Sequence, residues 1–552
     1  MTTTLTAEAP ASGAGASATR PGDALAGTGA LVRFILRRDR IKLPAWLLGM
    51  ALLLSMFLNG VAELTKTEEQ RQDLLRIMEG ATGAIFGPGY GRDDITTERY
   101  VVGVYGLFFF VLAALMSLLL VARHTRAEEQ NGRAELVRSA VVGRNAHLTA
   151  ALVVAAGANV ALALLLGGVM AANGYGGADG LLFGASVGAV GLVFAGVTAL
   201  TVQVTEYSRA ATAMAGTVLG AAWAVRAAGD MIEDYGSPLS WFSPLAWSNQ
   251  TRPYVDGRWW PLLLSLGLAA VTATAGYALS GRRDVGAGLV AARAGRTDAA
   301  PWLRSPLTAA FRLQRTGLIG WTVALTASGF LFGGLGEQVA DPANMSEDRI
   351  DMFGGSVDTL LDGYLGVITM FTAVLAGIMV VLGVQSARTE ETKGRAEPVL
   401  ATATSRWAWF GGYLTVLALG LVAMLLIVGL ATGIAAAVAE SDGSYVWDLT
   451  AAHLAHAPGI LVMLGLAALL FGVLPRAIGV TWAVLGYSLF VGFFGEIMDL
   501  PGWARNLSPV EHAGQPPLDD VSWPATVTLL LIAAALAAAG LVAFRRRDLE
   551  TT

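Results

Sequence analysis

The chain has 552 residues, of which 54% are hydrophobic and only 14% charged. That is too little charge to cover a soluble protein of this length, and apolar runs near the roughly 20 residues needed to cross a bilayer as a helix recur throughout. The absence of cysteine excludes disulfides and thiolate metal sites, while a net charge of −5 says little until its distribution is considered.

Residues 1–30 are small and polar, without the basic and apolar regions of a cleaved signal, and read as a disordered cytoplasmic tail. A first half, 31–280, carries apolar runs near 44–62, 101–122, 147–171, 181–204, 210–228 and 261–279. Residues 281–306, rich in Arg and Ala, form a cytoplasmic linker. A second half, 307–552, carries runs near 318–335, 366–386, 410–438, 458–474, 477–495 and 524–543. The expected fold is an all-α polytopic membrane protein with about twelve spans.

Charge placement tests that count. With both termini inside, Lys and Arg favour the inner connections by about three to one, the bias that orients membrane proteins. Its clearest pieces are Arg33, Arg37, Arg38, Arg40 and Lys42 before the first span and Arg545, Arg546 and Arg547 after the last. Each half also opens with a basic, amphipathic segment, 31–46 and 307–321, that suits either an interfacial helix or a simple positive flank.

The sequence repeats itself. AEEQNGRAE (127–135) returns as TEETKGRAE (389–397), GDMIE (229–233) as GEIMD (495–499), FSPLAW (242–247) as LSPVEH (507–512), and RRD (282–284) as RRD (546–548). The pairs keep their order and nearly constant spacing. Six spans separate the two members of each pair, so the halves share one orientation, as parallel repeats.

The charged segments after the second and eighth runs are the most informative. Glu128, Glu129, Gly132, Arg133 and Glu135 correspond to Glu390, Glu391, Gly394, Arg395 and Glu397. On one helix Glu128 and Glu135 share a face, with Gly132 permitting a break. Such a segment suits a groove on a soluble partner; a solvated loop with internal ion pairs is the plainer alternative.

At these residues the sequence resembles the permeases of type-2 ABC exporters, whose E-x-x-G-T/R-x-E segment forms a coupling helix. The tandem form with SPLAW-like segments is similar to actinobacterial polyketide-antibiotic (tetronasin-like) exporter permeases. The resemblance implies that the ten residues just named contact two copies of a separate ATPase subunit. Pro398, where the first half has Leu136, sets the second segment apart. No Walker A sequence occurs, and the glycine-rich 80–92 lacks its Lys. The chain thus needs no cofactor of its own, and ATP and Mg would reside on the partner.

Other residues invite functional readings. Arg226, near the end of the fifth run, is a substrate counter-ion or a partner of Asp230 or Glu233. The Pro- and Trp-rich segments 229–247 and 495–512 are re-entrant or ordinary outer loops. His453 and His456 are weak metal-ligand candidates, and the acid-rich 63–100 and 336–365 read as solvated surface. Phe108, Phe109, Phe110 and Met116, with Met370 and Phe371, lie on spans that line the path in the resembled family; packing side chains are the plainer reading.

Together these features point to the permease subunit of an ATP-driven exporter of a hydrophobic or amphiphilic drug in a bacterial inner membrane, not itself an enzyme. The alternatives are a proton-coupled multidrug transporter, which needs carboxylates inside its spans, and a membrane-embedded lipid-processing enzyme, which needs a large outer domain.

Overall fold

A bilayer offers the backbone no water, so each crossing segment must satisfy its own amides, as a helix does. The computed structural model describes residues 23–78, 87, 90, 91, 94–138, 142–233, 235–284, 286–291, 295, 297–336, 359–494, 500–514, 516–518 and 521–549. Every regular element among them is helical. The tail up to residue 22, most of the glycine-rich 80–92, most of the acid-rich 336–365 and the GEIMD run at 495–499 lie outside the described residues. The chain divides into two compact units, Met1–Ala294 and Gly295–Thr552.

In the first unit, α1 (Thr28–Arg38) is followed by α2 (Lys42–Leu64) and α3 (Glu68–Met78). Then come α4 (Thr97–Gln130), with a π turn at Val101–Tyr105, and the short α5 (Arg133–Arg138). α6 (Ala146–Ala172), α7 (Ala178–Val204) and α8 (Ser208–Ile232) precede the short α9 (Pro244–Asn249) and α10 (Pro261–Ser280). α7 is the central helix, packed against α4, α6 and α10.

The second unit runs through α11 (Pro306–Gly333), α12 (Leu360–Thr392), the short α13 (Ala396–Leu400) and α14 (Arg406–Glu440). It continues with α15 (Tyr445–Ala455), α16 (Ala457–Val473), α17 (Val480–Phe494), the short α18 (Gly502–Arg505) and α19 (Trp523–Arg546). α16 packs against α12 and α19, and α11 against α14. The order of neighbours (second span on fourth, fourth on sixth) is therefore the same in both units.

Ten helices among the described residues are long and apolar enough to cross a membrane, the α15–α16 pair counting as one. The other two expected spans are α8 and α17. α8 carries Arg226 and Asp230 among many Ala, Gly and Thr, which lowers its hydropathy, and α17 has 15 described residues. The amphipathic openings also differ from each other: α1 is a separate helix ahead of α2, whereas 307–321 runs straight into the span as part of α11. The chain is a multi-pass all-α membrane protein.

Apolar side chains such as Leu52, Val271, Ile319 and Leu531 stand exposed on the helix surfaces of their units, as lipid-facing residues do. Between lipid-bathed helices the hydrophobic effect offers little attraction, so packing rests on close backbone approach through small residues. A Cβ on Gly184 of α7 would lie 2.1 Å from Ala163 O of α6, and one on Gly472 of α16 would lie 2.2 Å from Gly540 O of α19. Gly472→Leu is therefore expected to destabilise the protein by about 1–3 kcal/mol. The check is a lower melting midpoint in detergent, with Gly49→Leu, which meets nothing within 4 Å, unchanged. Equal midpoints for the two variants would contradict the packing described.

Candidate functional site

Both E-E-x-x-G-R-A-E segments form a helix end, a left-handed glycine and a second short helix. Gly132 has φ of 72° and Gly394 φ of 67°, and neither would meet an atom within 4 Å if given a Cβ. Glycine is thus required there for backbone conformation, not for space. At Gly394 the ending is a Schellman motif, with Arg395 N donating to Glu390 O and Gly394 N to Glu391 O, each at 2.9 Å.

The turn re-aims the second short helix. Ala134 and Ala396 are each 2% exposed, while Arg133, Glu135, Arg395 and Glu397 point outward. Glu128 and Glu135 do not share a face, because the helix breaks between them; Glu128 is buried and Glu135 exposed. Pro398 sits in the first turn of α13, where its missing N–H has no intrahelical partner to lose, and the helix forms around it.

The acidic pair before each glycine is taken up within its own unit. Arg283, the second arginine of the first RRD, grips Glu129 in a bidentate contact, Nη1 to Oε2 and Nη2 to Oε1 both at 2.8 Å. Arg126 Nη1 adds a third bond to Glu129 at 2.5 Å, and Arg283 Nε donates to Gln203 Oε1 at the end of α7 at 2.6 Å. Arg547, the matching arginine of the second RRD, grips Glu391 with both bonds at 2.6 Å. Its guanidinium lies 5.0 Å over the rings of Phe471, near the end of α16, and of Phe544 on α19.

Glu128 accepts from Arg38 and lies 3.9 Å from Arg133. Asp39, just after α1, meets Arg123 at 2.8 Å and His124 at 2.5 Å, so α1 is tied to the end of α4. In the second unit Glu390 takes a bidentate contact from Arg395. Of the ten residues expected to contact a partner, Glu128, Glu129 and Glu391 therefore face inward. Arg133, Glu135, Arg395 and Glu397 remain accessible, Glu390 partly so, and Gly132 and Gly394 set the turns. The RRD repeat is visible in the sequence, but its role as the grip on the acidic pairs is not. Its recurrence alongside those pairs at nearly the same spacing was the available signal.

The residues expected to line a path lie elsewhere. Phe109, Met116 and Met370 are buried in the cores of their units, Phe371 is half-buried and Phe108 is 43% exposed. Arg226 is fully buried and bonds Asp230 at 3.1 Å rather than reaching outward, with Ser240 Oγ donating to the same carboxylate at 2.7 Å. At this end, α9 and the turn before it fold back along α8: Ser243 Oγ donates to Ala222 O at 2.7 Å, and Leu245 is fully buried. That is the geometry of a re-entrant segment, its backbone covered by protein. A narrow cavity beside it is lined by Tyr90, Arg99, Phe110, Phe183, Asn249 and Arg252, among others. Burial raises the Tyr90 phenol pKa, with Arg252, 4.4 Å over its ring, opposing the shift in part. His453 and His456 are buried; His453 Nδ1 donates to Leu449 O at 2.8 Å, and no group of three metal-ligating side chains occurs among the described residues.

Two bundles of membrane-length helices, each with a charged short helix at one end, define a multi-pass all-α membrane protein. The sequence matches the family model described as "Multidrug efflux system permease Rv1217c, C-terminal domain" over residues 30–279 and 303–545. It is 36% identical over 547 residues to the multidrug efflux system permease protein Rv1217c of Mycobacterium tuberculosis (strain ATCC 25618 / H37Rv), a match that covers 97% of this chain and 98% of that protein. The chain belongs to this family of multidrug efflux system permeases.

The burial pattern makes the two classes of glutamate separable. Glu391→Ala strands the Arg547 cation, 14% exposed, and is expected to cost about 3–5 kcal/mol, whereas Glu397→Ala stays near neutral. Thermal melts of the purified variants check this; similar midpoints would refute the inward role of Glu391.

Proposed function

We propose that this chain is the transmembrane permease of an ATP-driven drug exporter, with the accessible residues of its two E-E-x-x-G-R-A-E segments docking a separate ATPase subunit. The observation that supports this most directly is the recurrence, once per unit, of a short charged helix whose Ala packs inward while the Arg before it and the Glu after it face out. An ATP-driven permease without a nucleotide-binding motif of its own needs such a surface to receive work from another polypeptide. On this reading the docking ends are cytoplasmic, the two units are products of an internal duplication, two ATPase copies bind, and ATP and Mg belong to them. The relative's name supports export of hydrophobic or amphiphilic drugs; tetronasin-like polyketides are the narrower class suggested by the sequence resemblance.

The placement of carboxylates favours ATP over a proton gradient. Among the described residues, every Asp and Glu on a membrane-length helix lies within four positions of the helix end, leaving none in mid-span to carry a proton.

The test is co-purification with the candidate ATPase, comparing wild type with Glu135→Arg combined with Glu397→Arg. Both positions are exposed, so the double reversal is expected to fold as wild type and to lower complex recovery by about tenfold or more through like-charge contact. Normal binding by the reversed protein, or none by wild type, would refute the docking reading.

A further inference from the structure

The arginines that hold Glu129 and Glu391 sit at the far end of each unit's sequence, just past its sixth span, 154 and 156 residues from the carboxylates they grip. A pair retained for stability alone has no need of charge, since well-packed apolar residues often serve as well or better. What a guanidinium–carboxylate fork supplies instead is a fixed direction: two parallel bonds set the angle between the groups they join.

Each fork also reaches a third helix. Arg283 bonds Gln203 at the end of α7, and Arg547 lies over Phe471 near the end of α16, so the fourth span of each unit is held by a different chemistry at a corresponding place. In the first unit the chain beyond Arg283 is fastened there too, with Leu289 N and Val290 N each donating at 2.9 Å to Gln203 O and Val204 O. In the second, Arg406 at the start of α14 donates to Arg547 O at 2.5 Å. The carboxylate in every case stands three residues before the left-handed glycine that turns the chain into the docking helix.

We infer that Arg283 and Arg547 are positioning residues that clamp each docking segment to the second, fourth and sixth spans of its own unit, so that displacement of the docking helix moves the three spans together. This rests on the ATPase-docking reading above. An unclamped helix end followed by a left-handed glycine would absorb a push by local bending. The clamped one passes it into the bundle, through a contiguous network with fixed geometry.

The chain has no cysteine, which permits a clean test in the full permease–ATPase complex in nanodiscs. Glu391→Cys with Arg547→Cys removes the second clamp and leaves Arg395 and Glu397 in place. ATPase recovery should match wild type, while the permease-dependent change in ATP turnover should fall by about tenfold. A short bis-methanethiosulfonate cross-linker should restore the turnover effect, and a reductant should abolish it again. Arg283→Lys combined with Arg547→Lys keeps charge and fold but loses the fork, and is expected to weaken the same effect severalfold with binding intact. Wild-type turnover response in the cysteine pair before cross-linking, or in the lysine pair, would overturn the clamp while sparing the docking reading. Failure of wild type to bind the ATPase would overturn both.

Discussion

The structure depends on how closely its helices approach, because lipid gives apolar side chains little reason to prefer one another over acyl chains. Glycine and alanine let backbones touch. Gly184, Gly188 and Gly191 leave α7 no room for a side chain against α6, and Gly465, Gly472 and Gly540 do the same for α16 and α19. Helices locked this way move as blocks more readily than they deform. That places the compliant parts of each unit at the turns whose helix ends are not held by side-chain contacts.

The helix ends are also where charge is found, for a related reason. An ion inside the bundle is costly to desolvate, so the described carboxylates cluster near helix termini and those that are buried have partners. In the first unit Asp39 pairs with Arg123 and His124, and Glu129 with Arg126 and Arg283; in the second Glu391 pairs with Arg547, so each unit carries satisfied charge beside its short charged helix. Polar networks of this kind are worth most when every member is paired, and removing one member exposes the others to the full cost of burial.

The spans were legible in the sequence because apolar composition and length are local properties, and the loop charge gave an independent count. α8 shows the limit of that signal: Arg226 dilutes its hydropathy, yet the helix forms because Asp230 and Ser240 hold the arginine inside the fold. The acidic segments were recognisable by recurrence, but the inward turn of Glu128, Glu129 and Glu391 was not. It depends on arginines up to 156 residues away and on glycines whose left-handed backbone ends one helical face and begins another. Likewise Asp39 sits at the break between α1 and α2 and pairs with Arg123 and His124 on α4, 84 and 85 residues away, contacts that no local pattern announces.

The two units therefore repeat a plan without repeating its chemistry. Arg133 is 58% exposed and only 3.9 Å from Glu128, itself already held by Arg38, so its charge is largely available to a partner. Arg395 has nearly the same exposure but spends both arms of its fork on Glu390, and Pro398 rather than Leu136 stands after the outward glutamate. The first short helix thus presents a cation, an anion and an apolar side chain; the second presents an anion beside a neutralised pair and a rigid ring. Complementary surfaces recognise such differences chiefly through charge placement. On the docking reading proposed above, identical ATPase subunits would meet two unlike faces on this permease, and any difference between their strokes would be written in the permease rather than in the motor.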